Sequence, residues 1–328
     1  MESDREERTL THADAHAPEP AGEQTDAKSA ANRDAGTAAL SRMARAGTPP
    51  QRLDNFDALV EQLAHGMVDR DLGDADRAFI AANGYSAGEI VHGPYEFVMR
   101  IFSPTEPGHA PVVAFRGTVP TKIETLLADL DPSGVGMTQF RPNMALIHEE
   151  MQRAAGKGPV VSAGHSLGGA LAQLSACTYP DLVSRIVTFQ SPGINARFVE
   201  ELKQYNAAHP DKAIESSHHR MEGDLIPLAG EALTPGVIHE HKMQGGNLIE
   251  KHTTMMLAQE ELAAGVKLPV QNGARVKFDK NESSETQQPG AIERVRSDLG
   301  ALPGEAEHLV KGAEQGVEKL GKKLGSLF

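Results

Sequence analysis

Tryptophan is missing from this chain of 328 residues, and there is a single cysteine. One thiol leaves no intrachain disulfide, so the fold must rest on a hydrophobic core, which a chain of this length can bury. Cys177 itself follows an apolar run and reads as a small core residue. Aromatics are scarce, at four Tyr and ten Phe, and all but Phe328 lie between Phe56 and Phe278. The packed domain is therefore expected inside that window. Residues 1–50 hold no aromatic and are rich in Ala, Glu, Asp, Thr, Pro and Arg, a composition that cannot offset the entropy of ordering, so they read as a disordered tail. Basic residues are outnumbered, 32 against 45 acidic, for a net charge of -13. No concentrated basic surface is visible in the window, which argues against a nucleic-acid partner. No run approaches the ~18 apolar residues of a membrane span, and no apolar stretch follows a basic start. Neither a transmembrane segment nor a general-secretion leader is expected.

What is present is Gly164-His165-Ser166-Leu167-Gly168-Gly169-Ala170. The residues before it, Pro159 to Ala163, read as a short buried strand, and Ala170 to Ala176 read as an apolar helix. A serine between strand and helix must take a strained backbone conformation, so the positions two before and two after it, Gly164 and Gly168, need to be nearly free of side chain. Ser166 would then stand at a helix N-terminus, proud of the sheet edge, with the Leu167 amide aimed at any oxyanion beside it. The bare Gly-x-Ser-x-Gly pattern is common by chance, and the flanking strand and helix make it specific. A phosphate-binding turn is disfavoured, because no Lys-Ser/Thr pair follows the glycines and no third dinucleotide-fold glycine is in place.

Around this motif strands alternate with helices. Residues 52–82 carry helical spacing at Leu53, Phe56, Leu59, Val60 and Leu63, resuming at Phe79-Ile80. Glu96 to Phe102 and Pro111 to Phe115 read as strands, Lys122 to Ala155 as helix-rich with a break at Asp131 to Gly134, and Ser184 to Phe189 as a buried strand. A helix from Asn195 to about Ala208 and a strand around Ile214 to Met221 follow. The pattern predicts an α/β class with a mostly parallel sheet and helices on both faces. Ligands of such sheets bind beyond the carboxyl ends of the strands, where Thr118, Ser166 and Asp224 fall. The expected organisation is a tail at 1–50, a catalytic domain at 51–271, a polar linker at 272–290 and a C-terminal amphipathic helix at 291–328, with Leu309, Val317, Leu320 and Leu324 on one side.

A serine hydroxyl needs a base, and the base needs a carboxylate to orient its ring. Asp224 follows a strand and precedes Leu225-Ile226-Pro227, so it is the expected acid. Among the histidines His252 is the expected base, at the start of an apolar helical run, Met255 to Ala258. His239 and His241 would share one face of a strand and are the alternatives. A metal site from His218, His219, His239 and His241 has no familiar zinc spacing and no thiolate.

The segments Ala114 to Thr118 (AFRGT), Glu124 to Asp131, GHSLGGA, Val187 to Asn195 (VTFQSPGIN) and His219 to Gly230 together resemble the class 3 lipases of the α/β-hydrolase fold, over about residues 90 to 260. Gln190 stands where that family usually has Gly, and Ile238-His239-Glu240-His241 echoes its Tyr-x-His segment. By position the resemblance implies Ser166 as nucleophile, Asp224 as acid, His252 as base, Thr118 and Leu167 as oxyanion donors, and a lid at Val119 to about Leu130. It implies a serine esterase acting on lipid or phospholipid, without a cofactor and with contact at a membrane surface. An acyltransferase or thioesterase on the same triad, or a non-catalytic hydrolase-fold binding module, are the rival readings. The flanks fit two contexts: a cytoplasmic hydrolase with tolerated tails, or a bacterial phospholipase effector exported by a specialised secretion system. The second would add secretion machinery and an immunity partner, neither identifiable from these residues.

Overall fold

The computed structural model describes residues 52–118, 134–224, 226–243, 248–257, 270–271 and 275–277. The expected tail, the expected lid and the expected C-terminal helix lie outside them. The chain begins with two helices, α1 (Phe56–Gly66) and α2 (Asp74–Ala82), then an antiparallel pair, β1 (Tyr85–Gly93) and β2 (Phe97–Pro104), and β3 (Val112–Phe115). Helix α3 (Met137–Ala155) leads to β4 (Val160–His165), α4 (Leu167–Thr178), β5 (Val183–Phe189), α5 (Ala196–Ala208), β6 (Glu215–Met221) and β7 (Gly236–Met243). Helix α6 (Leu248–Thr253) and two short strands, β8 (Val270–Gln271) and β9 (Arg275–Lys277), complete the described chain. Among the described residues no helix is long and apolar enough to cross a membrane.

The strands form one sheet in the order β1 to β8, with β9 also on β7. Strands β3 to β7 run parallel, in a row. The pairs β1·β2 and β2·β3 are antiparallel, as are the contacts of β8 and β9 with β7. Every residue of β3 and β4 is buried, which is why Val112 to Phe115 is a continuous apolar run and not an alternating one, while the one hydroxyl inside β4, Ser162, donates to Ala172 O at 3.0 Å. Helices cover both faces. Helices α1 and α2 pack Leu59, Leu63, Phe79 and Ile80 onto Phe102, Val161 and Phe189. On the other face α3, α4 and α5 pack Phe140, Ile147, Leu171, Leu174 and Leu202 onto Met99, Phe115 and Ile186. Each such side chain, wholly withdrawn from water, contributes about 2 kcal/mol. Helix α4 is buried from Leu167 to Cys177, so it shows no polar face, as a helix inside the core should not.

Three elements differ from the sequence reading. Strand β1 was not expected: its Gly-containing, weakly alternating sequence carries little strand signal, and pairing with β2 decides it, with a bulge between Ala87 and Ile90. Strand β9 lies inside the stretch read as a linker and pairs with Val237 to His239, so the sheet runs past residue 271. His252 sits in the last turn of α6, and Met255 to Leu257 are not helical. The expected helix beginning at His252 is thus replaced by one ending there.

Candidate active site

Ser166 joins β4 to α4 with φ 55 and ψ -129, a positive-φ conformation that costs a non-glycine residue about 1–2 kcal/mol. The strain is held by hydrogen bonds: the Ser166 amide donates to Phe189 O at 2.9 Å, and Gly169 N donates to Ser166 O at 2.9 Å. The flanking glycines are steric necessities. A Cβ on Gly164 would lie 2.2 Å from the backbone of Gly168, and one on Gly168 would lie 2.1 Å from Phe115 O. The strand before the turn, the helix after it and β3 therefore touch backbone to backbone. Ser166 is 1% exposed; it lies at the carboxyl edge of the sheet, as expected, but buried and not standing clear of it.

The structure brings together three of the residues singled out by the sequence. The Ser166 hydroxyl meets His252 Nε2 at 2.8 Å, and His252 Nδ1 meets Asp224 Oδ2 at 2.8 Å. Nδ1 donates to the carboxylate, which leaves Nε2 as the acceptor facing the serine. Asp224 follows β6, and its Oδ1 accepts the amide of Ile226 at 3.0 Å, so both of its oxygens are engaged. His252 is 1% and Asp224 6% exposed.

His239 and His241 are not in this chain of contacts. His241 Nε2 lies 3.1 Å from His219 Nδ1, and His219 Nε2 lies 3.1 Å from Asp57 Oδ2. His239 stacks on His219 with ring centroids 4.5 Å apart. His218 points to the opposite face and bonds Thr188 Oγ1 and Thr234 O at 2.7 and 2.8 Å. Burial, with His219 and His239 nearby, pushes His241 down to about 3. Burial also pushes His218 down to about 4, against the hydrogen bond to Thr234 O. Both rings are therefore neutral at physiological pH. For Asp57, burial alone would raise the carboxyl, but His219 and Arg185 outweigh it and hold it below its ordinary value. Among the described residues no group of His, Cys, Asp or Glu converges as a metal site.

The exit from β3 runs against the serine turn: a Cβ on Gly117 would be 2.5 Å from His165 O and 3.2 Å from Ser166 Cβ. Thr118 is the next residue, and its Oγ1 is buried with no hydrogen-bond partner among the described residues. Leu167 opens α4, so its amide belongs to the unsatisfied first turn of a helix that begins at Ser166.

Around the three residues lies a set of contacts that sequence reading missed. Glu61, fully buried in α1, accepts the amides of Met256 and Leu257, both at 2.6 Å. His165 Nε2 donates to His252 O at 2.7 Å, and the His165 ring stacks on His65 of α1 at 3.8 Å. The signal that could have found them is a polar stripe: Asp57, Glu61 and His65 recur every four residues on one side of a largely apolar helix. Such a stripe on a buried face needs partners. The glutamate explains why Met255 to Leu257 are not helical, since it takes amides that a helix would have used. A cleft of about 260 Å³ between β1 and the α1–α2 connection, lined by Asp71, Arg77, Glu89 and Arg100 among others, includes none of these residues.

A family model described as a Tle-like phospholipase domain matches residues 75–277, more than half of the chain. The chain belongs to the Tle-like phospholipase family. Membership carries lipase/phospholipase-type hydrolysis with it, at the level of the superfamily and without a substrate. No curated protein matches the sequence. Among solved structures, the family member resembles the mono- and diacylglycerol lipase from Aspergillus oryzae at 14% identity, covering 69% of this chain and 87% of that one, with a TM-score of 0.43. For the triacylglyceride lipase of Rhizomucor miehei the figures are 15%, 68%, 82% and 0.39. For lipase II from Rhizopus niveus they are 15%, 62%, 81% and 0.36.

Proposed function

We propose that this phospholipase-family chain is a serine esterase acting on phospholipids, with Ser166 as nucleophile, His252 as base and Asp224 as the group that orients His252. The observation that carries this reading is the unbroken chain of two 2.8 Å contacts from Ser166 Oγ through the His252 ring to Asp224 Oδ2. Ser166 Oγ attacks the ester carbonyl carbon while its proton passes to His252 Nε2. The positive charge that forms on the ring is held by Asp224. The carbonyl oxygen becomes an oxyanion, for which the Thr118 hydroxyl, without a partner among the described residues, and the Leu167 amide are the donors at hand. His252 then returns the proton to the departing alcohol oxygen, leaving an acyl group on Ser166. Water, deprotonated by the same Nε2, releases the fatty acid and restores the serine. Phospholipid is favoured over other acyl esters by the family description.

The test is fatty-acid release by purified protein from phospholipid vesicles, a triglyceride emulsion and an acyl thioester, with Ser166→Ala alongside. Phospholipid is expected to be turned over fastest, and the variant to lose about four orders of magnitude in kcat while keeping its melting temperature. Residual turnover above about a hundredth of wild type would remove Ser166 from the mechanism. Faster turnover of the thioester or the triglyceride would replace the substrate assignment.

A further inference from the structure

Gln190 is the residue after β5 and has φ 48, in the left-handed region that favours glycine, the residue expected there from the resemblance to class 3 lipases. The side chain that makes the position unfavourable has a specific use. Its Nε2 donates to Lys251 O at 2.5 Å and to Thr254 O at 3.3 Å, the carbonyls on either side of the His252–Thr253 pair. Two residues further on, the Glu61 carboxylate takes the amides of Met256 and Leu257. The backbone itself is anchored too, since Gln190 N donates to His219 O at 2.7 Å. One buried amide thus grips the turn carrying His252 by its carbonyls, and one buried carboxylate grips it by its amides. Helix α6 is only six residues long, and the four residues after it have no regular structure of their own, so intrinsic helix stability does little to hold the ring in place.

We propose that Gln190 and Glu61 are positioning residues for the base, a two-sided clamp on the Lys251–Leu257 backbone that sets the distance from His252 Nε2 to Ser166 Oγ. The proposal rests on the reading of His252 as base. Neither side chain touches the reacting atoms. Their effect is on where the imidazole stands, and a displacement of about 1 Å at such a distance can cost a hundredfold in rate.

Gln190→Gly separates positioning from stability, because it removes the amide and relieves the strained φ together. On a soluble short-chain ester, kcat is expected to fall about tenfold to a hundredfold, with KM unchanged and a melting temperature no lower than wild type. The rate of Ser166 labelling by a phosphonate should fall by the same factor, since it too depends on the serine being activated. Glu61→Gln retains one acceptor and should act in the same direction, and Gln190→Gly should add little to the loss in His252→Ala. Wild-type kcat and labelling in Gln190→Gly would overturn the clamp. So would a kcat loss that appears only where the melting temperature drops. His252→Ala distinguishes the two levels: if it remains active, the triad reading fails; if it is inactive while Gln190→Gly has wild-type kcat, only the clamp fails.

Discussion

At the scale of single residues, the site depends on atoms that are absent as much as on those present. Gly168→Ala would place a methyl 2.1 Å from Phe115 O, a backbone atom that cannot turn aside, so the strand–turn–helix junction must open. Loss of activity together with a lower melting temperature is expected, measured by ester hydrolysis and thermal unfolding. Retention of both would mean that β3 and α4 can separate freely. Thr118→Val, nearly the same in shape, removes only the hydroxyl, which has no partner among the described residues. If that hydroxyl serves the oxyanion, kcat should fall by about 10²–10³, some 3 kcal/mol of transition-state stabilisation, with KM little changed. A rate within a factor of about two of wild type would leave the amides as sole donors. The glycines and the serine were legible in the sequence, because a strained turn admits few residue types. Gln190 was legible only as a departure, since its use lies in carbonyls 61 and 64 positions away.

At the scale of elements, α1 is the member whose role was least visible. Its apolar positions announced a core helix, and the structure places them in the core. Its polar stripe reaches across the sheet: Asp57 pairs with Arg185 at 2.9 Å and with His219, and Glu61 holds the turn after His252. Asp57→Ala leaves Arg185 and His219 facing an empty site. A fully buried pair broken this way costs about 3–5 kcal/mol, and because Arg185 keeps a side-chain exposure of 36% the expected loss is nearer 2 kcal/mol. Urea unfolding should show a lower midpoint with an unchanged slope. A midpoint equal to wild type would show that water replaces the carboxylate without penalty. The reversal at His252, from the start of one helix to the end of another, has the same origin. Met255 to Leu257 are apolar enough to suggest a helix, and Thr254 N still bonds Glu250 O four residues back, but the amides of Met256 and Leu257 go to Glu61 instead.

At the scale of the whole molecule, buried neutral histidines make stability depend on pH. His241 and His218 are held at about 3 and about 4, below the value of about 6.5 they regain when unfolded. Below pH 6.5 the unfolded chain takes up protons that the folded one refuses, so stability falls as the pH drops towards the folded values. Each ring contributes a slope of up to about 1.4 kcal/mol per pH unit in that window. Asp57, lowered in the folded state, adds a loss only further down, as the pH passes below its unfolded value. Urea midpoints measured from pH 7.5 to 4.5 should therefore stay level down to about pH 6.5 and then fall, and His241→Gln should flatten the fall by about one proton's worth. An equally steep curve in that variant would show that His241 becomes charged without resistance in the fold.

The sequence by itself determined what local rules govern: the runs at Pro111 to Phe115 and Pro159 to Ala163 became buried parallel strands, and the Gly-flanked serine became the turn between β4 and α4. It also singled out Asp224, which follows a strand and precedes Leu225-Ile226-Pro227, and His252, which stands ahead of an apolar run that was expected to be helical and is not. Tertiary structure alone decided that His252, and neither His239 nor His241, faces Ser166. That choice depends on where α1 sets down a buried glutamate, on an amide after β5 and on which face of β7 meets β6. The contacts of the glutamate and the amide join residues 61 to 196 positions apart, the β6–β7 pairs lie 20 apart, and no periodicity or spacing within a segment encodes them.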